Sequence, residues 1–212
     1  MDTNELIKAL AADARPRSVS LSTVWWGAAA LAVAVAAAVF LATLGPRPDI
    51  AAAAGTVYFL FKIVVMLTLA VGAFGALRAL SRPEGNLRTA LLLLTAAPAL
   101  LAAAVAAELL AVPPETWPER MIGDSNVFCS LLVMMIGLAP LSILLLALRR
   151  GAPSNPGVAG AVAGLLAGGI AATIYVVHCT DDSPLFVAIW YTIAIAGLAL
   201  VGAASASRLA RW

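Results

Sequence analysis

The chain has 212 residues, of which 63% are hydrophobic and only 11% charged, with a net charge of +2. Soluble domains carry about 45–50% apolar and about 25% charged residues, so this composition excludes an ordinary water-soluble domain and points to a polytopic membrane protein. The small net charge argues against a nucleic-acid partner. Two cysteines with no CxxC spacing exclude a disulfide-rich framework.

A helix needs about 20 mostly apolar residues to cross the hydrocarbon core. Six windows qualify, at about 22–44, 55–78, 88–111, 127–148, 157–178 and 185–207. They are separated by turn and charge signals such as Gly45-Pro46-Arg47-Pro48-Asp49, Arg149-Arg150-Gly151 and Asp181-Asp182-Ser183-Pro184. The expected fold class is an all-α six-helix transmembrane bundle, because open sheet edges leave backbone groups unsatisfied in lipid. This divides the chain into a tail (1–21), a membrane domain (22–207) and a short C-tail (208–212). The run from Ser22 to Leu44 follows Lys8, Arg15 and Arg17 like a signal peptide. It exceeds the roughly 7–15 apolar residues of one and reads as a retained span.

Basic residues set the expected orientation. Lys8, Arg15, Arg17, Arg78, Arg82, Arg88, Arg149, Arg150, Arg208 and Arg211 flank one set of helix ends, against Arg47 and Arg120 on the other. Both termini are therefore expected in the cytoplasm. The opposite loops are acidic. Trp25, Trp26, Trp117 and Trp212 read as interfacial anchors, and Trp190 as ordinary packing. Pro98 and Pro140 should kink their helices. In the fifth span, Gly160, Gly164 and Gly168 recur at a spacing that lets backbones approach closely. The favoured reading is tight packing inside the bundle, with a homodimer interface as the alternative.

The tail from Asp2 to Ala14 reads as a short helix. Asp2 sits at its start, Leu6, Ile7 and Leu10 form an apolar stripe, and Glu5 and Lys8 are polar. A helix this short is marginal alone. It needs a partner surface, and its mixed charge suits a protein groove better than lipid.

The only cysteines and the only histidine stand in Phe128-Cys129-Ser130 and His178-Cys179-Thr180. Alternation of the spans brings both to the same outer membrane face at similar depth. Three readings follow from the residues. The thiols are buried and never meet; they form a structural or redox-active disulfide; or they capture a soft heavy-metal ion, with His178, Asp181, Asp182 or Asp124 as co-ligands. Lys62 and Glu108 lie inside the second and third spans near that face, where an ion pair between them would offset the cost of burial.

The run Glu5-Leu6-Ile7-Lys8-Ala9-Leu10-Ala11, six spans, and one outer cysteine each near spans four and five resemble the NrsF-like family of bacterial integral-membrane anti-sigma factors. The resemblance implies a non-enzymatic protein of the inner membrane that sequesters an extracytoplasmic-function sigma factor. It implies that Cys129 and Cys179 sense metal or oxidative stress and trigger release. It also implies that the tail, through Asp2, Glu5, Leu6, Ile7, Lys8 and Leu10, contributes to sigma binding. The alternative from another class is a small cation or metal transporter or channel, for which only Lys62 and Glu108 offer polar lining. A thiol oxidoreductase lacks the cysteines for electron relay.

Overall fold

A computed structural model describes residues 2–13, 20–82, 86–124 and 126–209. The side chain of Leu10, and Arg15, Arg17, Arg211 and Trp212, all named above, lie outside the described residues. Every element among the described residues is helical. A tail helix, α1 (Thr3–Asp13), precedes six long apolar ones. These are α2 (Leu21–Thr43), α4 (Val57–Leu80), α5 (Leu87–Ala111), α7 (Asn126–Leu148), α8 (Pro156–Tyr175) and a last helix in three parts. The last comprises α9 (Pro184–Phe186), a π-helical turn Val187–Tyr191, and α10 (Thr192–Leu209). Short helices α3 (Ile50–Ala53) and α6 (Trp117–Ile122) lie in the connections.

The starts of the spans are written in the sequence. Ser20, Thr56, Asn86, Asn155 and Ser183 each accept a backbone N–H of the first turn through a side-chain oxygen. Pro156 and Pro184 sit in those first turns, where a missing N–H costs nothing. The fifth span stops at Tyr175, three residues before the expected end, and the chain continues as a turn to Cys179. Helices α5 and α7 continue through Pro98 and Pro140.

The bundle is centred on α8, the most enclosed span, with 67% of its apolar window buried against 11% for the peripheral α5. The glycines explain how. A Cβ on Gly160 would collide with the Gly202 carbonyl, and one on Gly164 with the Leu198 carbonyl, both on α10. One on Gly169 would come within 3.0 Å of the Ala70 backbone on α4. In lipid, close backbone packing supplies the attraction that the hydrophobic effect supplies in water. The glycine stripe is thus spent inside the bundle rather than presented to a second copy.

Trp25 departs from the expected anchor role, being 1% exposed in the core, whereas Trp26 is 60% exposed and packs on Phe74 and Arg78. Exposed Leu31, Leu41, Leu91, Leu92 and Leu200 suit a lipid-facing surface.

Alternation of the spans sorts the connections to two ends. At one, the Ala152 N–H donates to the Ser81 carbonyl (3.2 Å), joining the 81–86 and 149–155 connections on the side of both termini. At the other, the Arg47 N–H donates to the Val177 carbonyl (3.0 Å), joining the 44–56 and 176–183 connections. The second end carries the candidate site.

Candidate thiol site

Cys129 stands in the first turn of α7. Cys179 is brought to it by the turn that follows α8, in which the His178 and Cys179 N–H groups both donate to the Tyr175 carbonyl (2.9 and 3.1 Å). The two Sγ atoms are 3.9 Å apart, both thiols are free, and both are buried, at 0% and 2% exposure. A disulfide measures about 2.05 Å, so closure requires a shift of about 2 Å. Of the three readings left open by the residues, the one in which the thiols never meet is excluded by this contact.

Lys62 is the most unusual residue nearby, a fully buried cation in α4. Its Nζ donates to the carbonyls of Cys179 (3.4 Å) and Asp181 (2.9 Å) and to Asp182 Oδ1 (2.8 Å). Arg47 approaches the same loop from the 44–56 connection. Its Nη1 donates to the Cys179 carbonyl (3.2 Å) and to Asp182 Oδ2 (3.0 Å), while Nε and Nη2 grip Asp49 at 2.7 Å. The hydrogen bond to Asp49 holds the Arg47 guanidinium firmly protonated despite burial, with Asp182 adding to the effect. The same bond holds the Asp49 carboxyl below the usual carboxylate range.

The expected Lys62–Glu108 pair does not form. Glu108, 3% exposed, accepts Arg120 Nη1 (2.9 Å), Ser183 Oγ (2.9 Å) and the Leu185 N–H (3.0 Å). A carboxylate at the start of the last helix satisfies orphan donors there and complements the helix dipole. The two intramembrane charges therefore share one task, pinning the 179–185 segment from two sides, each with its own partner. Sequence spacing showed that both lay near the same face. It could not show that the connection between spans five and six dips between them.

The proposed co-ligands are engaged elsewhere. His178 Nδ1 pairs with the Gly45 carbonyl (2.9 Å), and both Asp182 oxygens bind cations. Asp181 Oδ1 accepts the Asp124 N–H (3.3 Å). Among the described residues no group of three or more His, Cys, Asp or Glu is arranged to hold a metal ion. Thr116, Arg120, Asp124, Thr180, Asp181 and Ser183 line a cleft of about 520 Å³ beside this loop.

Several site residues escaped sequence reasoning. Arg47 was only a positive charge on the wrong side of the balance, and that anomaly was its signal. Tyr175 and Tyr191 stand beside the thiols with ring centroids 6.2 Å apart, and the Tyr191 hydroxyl is buried with no hydrogen-bond partner among the described residues. Trp190, expected to be plain packing, does more. Its indole N–H donates to the Met121 carbonyl (2.9 Å), and its own carbonyl, in the π turn, accepts Ser130 Oγ (2.9 Å). The Cys179 thiol is held below the usual thiol range. The hydrogen bond from Cys129 is the main cause, opposed by burial and reinforced by the Lys62 ammonium.

Taken together, this is an all-helical protein with six helices long and apolar enough to cross a membrane and a buried thiol pair at one end. The family model described as NrsF, negative regulator of sigma F, matches residues 10–212. The anti-sigma-F factor NrsF of Caulobacter vibrioides (strain NA1000 / CB15N) is 33% identical over 220 residues, covering all of both chains. The probable anti-sigma-F factor NrsF of Azospira oryzae is 32% identical over 221 residues, again end to end. No solved structure matches. The chain belongs to the NrsF family.

Proposed function

We propose that this protein is an anti-sigma factor of the bacterial cytoplasmic membrane. It holds a sigma factor of the extracytoplasmic-function class at the inner surface, away from core RNA polymerase, and releases it when Cys129 and Cys179 are oxidised. The observation that carries the thiol half of this reading is the 3.9 Å separation of two buried free thiols. The arginine asymmetry supports an orientation with both termini inside and the thiols outside, in an oxidising compartment. Family membership supports the sigma-factor partner. On α1, Leu6 and Ile7 are 42% and 57% exposed, an apolar stripe suited to a protein groove.

A thiol switch can act on a distant partner only if its two states bind that partner differently. Closure of the disulfide would draw Cys179 toward α7 and disturb the loop that Lys62, Arg47 and Glu108 hold. That loop leads directly into the last helix, which packs on α8 through the glycines. A strain introduced at one end is thus conveyed along two helices to the other. The transporter alternative gains no support from the polar residues. Lys62, Arg47, Glu108 and Ser130 all lie at the thiol end and bind one another's neighbourhood rather than lining a path across the bundle.

The test is co-purification of the full-length protein from native membranes in mild detergent. A stoichiometric sigma factor that is lost on deletion of residues 2–13 is the expected result. Intact protein in good yield without a sigma factor would refute the proposal.

A further inference from the structure

The two thiols are not equivalent. Two cations, Lys62 Nζ and Arg47 Nη1, donate to the backbone carbonyl of Cys179 at 3.4 and 3.2 Å. No described hydrogen bond brings a cation to the backbone of Cys129. The Tyr191 hydroxyl, buried and without a hydrogen-bond partner among the described residues, belongs to a ring that packs against Tyr175 at the thiols, with Lys62 Nζ 5.6 Å from its centroid. A buried hydroxyl that donates to nothing is costly, and the cost is recovered if an anion forms beside it. The charged and titratable groups around Cys179 are Lys62 from α4, Arg47 from the 44–56 connection, and Cys129 from α7. Tyr175 from α8, Tyr191 from the last helix, and His178, Asp181 and Asp182 from its own turn and loop complete the set. Asp182 is neutralised by both cations. An anion at Cys129 is favoured by its place in the first turn of α7, by the Lys62 charge and by the Tyr175 hydroxyl, but no described hydrogen bond brings a cation to its backbone as two do at Cys179.

We propose that Cys179 is the attacking thiol of the pair and Cys129 the resolving one, with Lys62 and the Tyr191 hydroxyl as the positioning groups that stabilise the Cys179 anion. This rests on the thiol-switch reading but assigns within it an order of events. With hydrogen peroxide as oxidant, the Cys179 thiolate attacks a peroxide oxygen and expels hydroxide, which is protonated to water, leaving a sulfenic acid. The Cys129 thiol then attacks that sulfur, the S–S bond forms, and a second water leaves. Two thiols lose two electrons in total, and the peroxide gains them.

The experiment uses the reduced full-length protein in lipid nanodiscs and a small thiol reagent, methyl methanethiolsulfonate, which transfers its methylthio group to a thiolate and releases methanesulfinate. Modification is followed by mass spectrometry in Cys129→Ser and Cys179→Ser proteins from pH 5 to pH 9.5. Cys179 should react at least about tenfold faster than Cys129 at pH 7, and its rate should level off below the ordinary thiol range near pH 8.5. Lys62→Met should raise that plateau and slow Cys179 at pH 7, and Lys62→Arg should restore it. If Lys62→Met does not fold, Tyr191→Phe decides, since it leaves every ion pair intact. It should move the Cys179 profile upward and leave the Cys129 profile in place. Equal rates, a faster Cys129, or an unmoved profile in Tyr191→Phe would overturn the assignment. Reagent chemistry is read without any sigma factor, so its outcome is independent of whether oxidation causes release.

Discussion

The two ends of the bundle are built on opposite terms. At the thiol end, every ion pair among the described residues is found: Arg47 with Asp49 and Asp182, Lys62 with Asp182, and Arg120 with Glu108. Lys62, Arg47 and Glu108 are buried, and each also binds backbone, whereas Asp49 and Arg120 reach the surface. At the end bearing the termini, Arg78 finds among the described residues the Ser22 hydroxyl and the faces of Trp26 and Phe74. Arg149 and Arg150 are exposed, and so are Leu6 and Ile7 of α1. One end is closed upon itself, and small movements there meet resistance and are passed on. The other leaves its charge and its apolar stripe unspent, as a surface for a partner or lipid headgroups must be.

Mutations at the two ends should therefore differ in kind. The largest loss is expected for Asp182→Asn, which strips the carboxylate from two buried cations. Breaking a buried pair costs about 3–5 kcal/mol, and thermal unfolding in detergent should show a marked drop in midpoint. Gly164→Val, between the ends, forces α8 from the Leu198 carbonyl of α10. Overpacking typically costs about 1–3 kcal/mol, and the same unfolding assay reads it. Ser130→Ala removes the hydroxyl from the Trp190 carbonyl in the π turn, for about 1 kcal/mol, and sharpens the comparison by testing a thiol-end contact that carries no charge. The smallest effect on stability, within about 0.5 kcal/mol, is expected for Leu6→Ser with Ile7→Ser. These exposed positions should nevertheless abolish sigma-factor co-purification. A large destabilisation from the pair would mean that α1 is part of the bundle rather than a surface for a partner.

The architecture was legible because the bilayer imposes it. Six apolar runs with turn and charge signals between them, and glycines at spacing four, leave few alternatives for the spans. That Cys129 and Cys179 share one end followed from the alternation of helix ends, but their contact did not, because it depends on the turn that carries Cys179 back to α7. The partners of Lys62 and Glu108 did not, because both depend on the path of an irregular connection, and periodicity is silent there. The same holds for His178, whose ring turns to the Gly45 carbonyl in another loop, and for Arg47, whose partners are 132 and 135 residues away. The π turn at Val187–Tyr191 leaves no mark in hydropathy, yet it presents the Trp190 carbonyl to Ser130, the neighbour of Cys129.

The central claim is that the closed end governs the open one. It is tested most directly by oxidising the reconstituted complex with its sigma factor, measuring the Cys129–Cys179 disulfide and sigma release in the same samples over time. Release should rise in proportion to the disulfide and be absent in the Cys129→Ser, Cys179→Ser double variant, which should still bind. Complete disulfide formation with the sigma factor still bound, or equal release from the double variant, would contradict the account.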